Sequence, residues 1–147
     1  MAAIPWMLLA FGLGALLPLQ TAVNGRLGVQ IGSPAAAACV SFAVGTLSLL
    51  IYLLVARQPL PWQHPGGPLW MWLLGGLFGA CYVSLIIVLV PRLGMALSFG
   101  LLIGGQMALA LLIDHFGLLG TATHPVNGPR LLGAGLVVAG VALIRRY

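Results

Sequence analysis

Four long apolar runs, residues 4–23, 34–56, 69–90 and 94–113, constrain this chain more than anything else in it. A helix of about twenty residues covers about 30 Å, the thickness of a bilayer's hydrocarbon core. Nothing in that medium can satisfy a backbone except the backbone itself, so runs of this length read as membrane-spanning helices. A fifth run, residues 131–144, covers only about 21 Å as helix, so it must borrow flanking residues, sit in a thinned bilayer or be partly re-entrant. It is taken as a fifth span. The expectation is an all-α integral membrane protein with five transmembrane helices in a single membrane domain, residues 1–147.

The remaining composition agrees. The chain has 147 residues, 61% of them hydrophobic and 5% charged, which cannot cover a water-facing surface. Its ionic groups are six arginines and one aspartate. The arginines stand singly between apolar runs, apart from Arg145 and Arg146, and so read as membrane-end anchors rather than a nucleic-acid surface. No charged segment precedes Trp6, and the first apolar run is longer than the core of a cleaved leader, so it reads as a retained helix. Trp6, Trp62, Trp70 and Trp72 fall near the expected helix ends, as an interfacial belt requires. The connections NGRLGVQIGSP, QPLPWQHPGGP, PRLG and DHFGLLGTATHPVNGPR carry the Gly, Pro, Asn and His that punctuate helices.

With five spans, Arg26, Arg92, Arg145 and Arg146 share one side of the membrane, and Arg57 and Arg130 share the other with the N-terminus. That bias favours a cytoplasmic C-terminus, but it is small enough to leave insertion in both orientations open. Small residues recur at helical spacing in Gly75xxxGly79, Gly76xxxAla80, Gly100xxxGly104, Ala37xxxSer41xxxGly45 and Gly135xxxAla139. Such stripes let helix backbones approach where lipid gives no hydrophobic drive for association. The short, glycine-dense fifth run is the one that suggests a dimer face.

The polar residues inside these runs carry what functional information there is. LPLQTAVNGRLG, residues 17–28, places Pro18, Gln20, Thr21 and Asn24 where hydrocarbon is expected. Pro18 cannot donate to the carbonyl of Gly14, so the helix should bend there and leave a free acceptor. Gln20 and Asn24 are one turn apart on one face, so they form either a binding wall beyond the bend or, with Asn24–Gly25 as a terminator, a simple helix end. Gln106 lies near the middle of the fourth run and is expected to face a cavity or a subunit interface. Tyr82 and Ser84 lie deep in the third run, and Ser41 and Thr46 in the second can bond their own preceding turn. Asp114 is the coupling candidate because it is the only acid; the alternative is an arginine-paired group at a helix end.

An enzyme has no residues to stand on. His64, His115 and His124 lie in loops without ligand-like spacing, Cys39 and Cys81 are small packing residues, and there is no catalytic triad or phosphate-cradling loop. No metal and no cofactor is expected.

Gln20xxxAsn24xxLeu27, Gly32-Ser33-Pro34 with Ala37, SFAVGTLSLL at 41–50, GGLFGACYV at 75–83, Pro91-Arg92-Leu93-Gly94, Gly105-Gln106 and DHFGLLG at 114–120 occur in one order along the chain. Together they resemble the YdcZ-type family of small inner-membrane exporters in the drug/metabolite transporter superfamily. The resemblance covers essentially the whole chain and implies a multi-pass protein of the bacterial inner membrane. Because superfamily relatives have ten helices in two inverted repeats, it also implies that this chain is half of such a fold. Its partner would be an inverted second copy or a close paralogue. The chain is similar in size to the small multidrug exporters but lacks a glutamate in its first span, so their proton exchange does not carry over.

The reading is therefore a transporter subunit working by alternating access as an antiparallel dimer. Gln20, Asn24, Tyr82, Gln106 and Ser41 would line a cavity for a small neutral or amphipathic solute, and Pro18 would supply the bend. The rival readings are a non-transporting scaffold or accessory subunit, whose amides only bond helices together, and a passive channel.

Overall fold

In the computed structural model, which describes residues 3–59 and 66–147, the first span is broken into two helices, α1 (Ala3–Gly14) and α2 (Leu16–Gln30). The break falls at Ala15, whose N–H turns back to the carbonyl of Gly12 at 3.1 Å, a tighter turn than the α-helical one. Pro18 is the cause. Its ring crowds the carbonyl four residues earlier, that of Gly14, so the distortion appears in the turn before the proline.

Beyond the bend α2 continues past the expected end at Val23, through Asn24 and Gly25 to Gln30. Asn24–Gly25 is therefore not a terminator. The helix stops instead at Gly32, whose φ of +71° reverses the chain. Ser33 then caps α3 (Pro34–Val55), its Oγ accepting from the Ala36 N–H at 3.1 Å, with Pro34 at the first helical position.

The next two helices also outrun their apolar runs. α4 (Leu69–Leu93) carries Pro91 and Arg92 inside its last turn, so PRLG is not a loop. Only Gly94, with a φ of +83°, separates α4 from α5 (Met95–Phe116). α5 takes in Asp114 and His115 before Gly117 closes it in the left-handed conformation, its N–H bonded to the carbonyl of Ile113. After a 3-10 turn at Leu118–Gly120, Asn127 caps α6 (Gly128–Arg146), its Oδ1 accepting from the Arg130 N–H at 3.0 Å. With 19 residues α6 is about 28 Å long, so the fifth span reaches its length by borrowing flanking residues. Counting α1 and α2 as one, the described residues form five helical spans long and apolar enough to cross a membrane. Trp62 and His64 lie outside the described residues.

The chain divides into two compact units, Met1–Leu89 and Val90–Tyr147. In the first, α2 packs along α3 and α1 touches α2. Gly28 makes the α2–α3 approach possible, since a Cβ there would lie 3.3 Å from the Cα of Pro34. Its apolar centre is a small cluster of Ala38, Val83 and Ile87 with Tyr82 packed against it, and Phe42 lies 3.2 Å from where a Cβ on Gly79 would be. In the second unit α5 packs on α6, and Val141 stands 3.0 Å from the position of a Cβ on Gly100. Most large apolar side chains point outward, among them Phe11 at 85% and Leu136 at 65% exposure, a distribution that costs nothing in hydrocarbon.

Candidate functional site

The Pro18 bend sets the first turn of the candidate site. Pro18 gives the helix no N–H, and the Thr21 hydroxyl donates to the carbonyl of Leu17 at 2.8 Å, holding the chain helical immediately after the proline. Thr21, Asn24 and Gly28 follow at spacings of three and four and form the buried stripe of α2.

Beside that stripe the structure joins two of the residues singled out in the sequence. The Gln20 side-chain N–H donates to Ser41 Oγ at 3.2 Å, tying α2 to α3 across 21 positions of chain. Asn24, one turn further on, is 95% buried, and its Nδ2 has no hydrogen-bond partner among the described residues. On α4 the Tyr82 hydroxyl is likewise buried without a partner. A buried donor left unmet costs about 1–3 kcal/mol, so two in one small unit stand out beside hydroxyls that bond their own preceding turn. Ser48 bonds the carbonyl of Val44 and Ser98 that of Gly94. The first unit thus holds Gln20, Asn24, Ser41 and Tyr82.

A groove of about 470 Å³ runs between α3 and α4 in the same unit, walled by Ala38, Cys39, Phe42, Gly76 and Ala80, with Thr46 and Ser84 as its hydroxyls. The small residues that open it belong to the Gly76xxxAla80 stripe, a pattern visible in the sequence. Which helix would face that stripe was not visible there.

Gln106 belongs to the second unit, where its side chain is exposed on α5 and makes no hydrogen bond among the described residues. Asp114 is also in that unit. Its Oδ2 lies 3.4 Å from a guanidinium nitrogen of Arg130, and the same nitrogen donates to the carbonyl of His124 at 3.0 Å. The Asp114 carbonyl accepts from the His124 N–H at 2.8 Å, and His115 Nδ1 accepts from the Val126 N–H at 3.1 Å. Of the two arrangements open to Asp114, the arginine-paired one is seen, and it staples the α5–α6 connection to the end of α5. Partly exposed pairs of this kind contribute at most about 1 kcal/mol.

Sequence reasoning missed the contribution of Gly28. The signal was available in its spacing, four residues after Asn24 and seven after Thr21, which puts it on the same face.

No curated protein and no solved structure matches the chain. The family model described as "Putative inner membrane exporter, YdcZ" matches residues 5–143, nearly the whole of it. The chain belongs to that family.

Proposed function

We propose that this member of the YdcZ family, a multi-pass inner-membrane exporter by descent, carries a small neutral or amphipathic solute by alternating access as one of two oppositely inserted copies. Asn24, Tyr82, Gln20 and Ser41 of the first unit supply the hydrogen bonds of its cavity, and Gln106, exposed on α5, offers the solute a further amide. The observation that carries this reading is the pair of buried, unpartnered donors, Asn24 Nδ2 and the Tyr82 hydroxyl. Donors held ready at such cost suit a ligand that meets them in passing. The first unit has no acidic side chain, so what it offers a solute is hydrogen bonds and apolar wall.

The Ala15 break beside Pro18 is where α1 can swing against α2 as the cavity changes access. Asp114 is the one carboxylate available for coupling, and it must leave Arg130 to act.

One observation favours the scaffold reading: the Gln20–Ser41 bond does what a purely structural amide would do. The two readings separate in a melting assay against a panel of neutral and amphipathic solutes, with flux of any hit measured in proteoliposomes. A carrier is stabilised by a solute increasingly as its concentration rises above Kd, and the joint Gln20→Leu, Gln106→Leu variant loses flux. Retained flux in that variant would sink the cavity assignment, and melting changed by the amide substitutions with no response to any solute would leave a scaffold.

A further inference from the structure

We propose that the α5–α6 groove of the second unit is a binding site for one anionic phospholipid, independent of the solute cavity. The groove, about 550 Å³, is walled by Leu97 and Leu101 on α5 and by Val138, Val141 and Ala142 on α6, and it ends at Arg145. Its α6 wall from Val138 to Arg145 is about 10 Å deep, within the roughly 15 Å of hydrocarbon that one leaflet provides. An apolar slot about two-thirds of a leaflet deep, with a guanidinium at its outer end, has the layout of an acyl chain below a phosphate.

Charge decides between a lipid and a second copy of the chain as occupant. Arg145 forms no ion pair among the described residues, and it is followed by Arg146 in the last turn of α6. The groove also reaches Leu93, the neighbour of Arg92 in the last turn of α4. Arg145 therefore lines the outer end of the slot, and Arg146 and Arg92 are each the chain neighbour of a lining residue. The chain has one acidic side chain, Asp114, and Arg130 already holds it, so a second copy brings no free carboxylate to them. A phosphodiester brings its charge with its own apolar tail. Arginine binds phosphate bidentately and so holds a headgroup in register with the slot beneath it.

The test is native mass spectrometry of the full chain released from detergent, with added dioleoylphosphatidylglycerol or dioleoylphosphatidylcholine, which share acyl chains and differ in headgroup charge. Retention of one phosphatidylglycerol per chain in preference to phosphatidylcholine is expected. Arg145→Gln should weaken it about fivefold, the equivalent of about 1 kcal/mol per basic residue at a membrane surface, and Arg145→Lys, which keeps the charge but loses the bidentate grip, should fall between that variant and the native chain. Ala142→Phe, which fills the slot and leaves every charge in place, should weaken it as well, while Arg26→Gln on α2 should not. Equal retention of both lipids overturns the proposal, as does indifference to Arg145→Gln. Loss with Arg145→Gln but none with Ala142→Phe also overturns it, by leaving surface attraction without a slot. Lipid retained by monomers and excluded from dimers means that a second copy covers the groove, and overturns it too.

Discussion

Asn24 is the residue at which structure and function pull in different directions. Its amide is buried with Nδ2 unmet, so an apolar side chain of similar size should suit the empty protein better. Asn24→Leu is expected to raise the unfolding free energy of the solute-free protein by about 1 kcal/mol while abolishing solute-dependent stabilisation, both read from melting curves. Tyr82→Phe should act in the same direction. A fall in stability in Asn24→Leu would mean that the amide is bonded in the working protein, and the cavity would lose its principal donor. Gly28 makes the opposite case, because the atom facing it is the backbone of Pro34 and cannot give way. Gly28→Leu should destabilise the first unit by about 1–3 kcal/mol in the same measurement, the usual result of overpacking. Gly104→Ala, which meets nothing within 4 Å, should be neutral to slightly stabilising.

At the scale of the element, the broken first span is the distinctive part. Pro18→Ala restores an N–H at position 18 to donate to the Gly14 carbonyl and should fuse α1 and α2 into one helix. The expected outcome is a stability gain of about 1–3 kcal/mol together with a loss of flux, because the hinge becomes rigid. Greater stability with unchanged flux would remove the bend from the mechanism. A bend in this span was legible in advance, since a proline distorts the turn that precedes it. Helix ends were less so. Hydropathy marks where hydrocarbon begins and stops, whereas helices end where a cap or a left-handed residue ends them, as at Gly32, Gly94 and Gly117. Hence α2 runs on through Asn24 to Gln30, α4 absorbs Pro91, and α6 starts at Gly128 ahead of its apolar run. The polar residues of the candidate site stood out in the sequence because amides are conspicuous in hydrocarbon. Their pairing did not, because Gln20 and Ser41 meet only once the rotation of α2 against α3 is known.

At the scale of the whole molecule, five apolar residues among those described are buried: Ala37, Ala38, Val83, Ile86 and Ile87. Several small-residue stripes have one or both ends open: Gly75, Gly104 and Gly135 meet nothing within 4 Å, although Gly79 and Gly100 are in use. We propose that these spare close-approach surfaces receive another helical subunit. The near balance of arginines between the two sides is what an inverted copy of the same chain requires. An inverted pair can form only if the chain inserts in both orientations. The direct measurement places a single cysteine at the exposed Tyr147, as Tyr147→Cys in a Cys39→Ala, Cys81→Ala background, and labels it with a membrane-impermeant maleimide in intact cells and in inverted vesicles. Substantial labelling from both faces is the predicted result, and labelling from one face alone would contradict the inverted pair of identical copies.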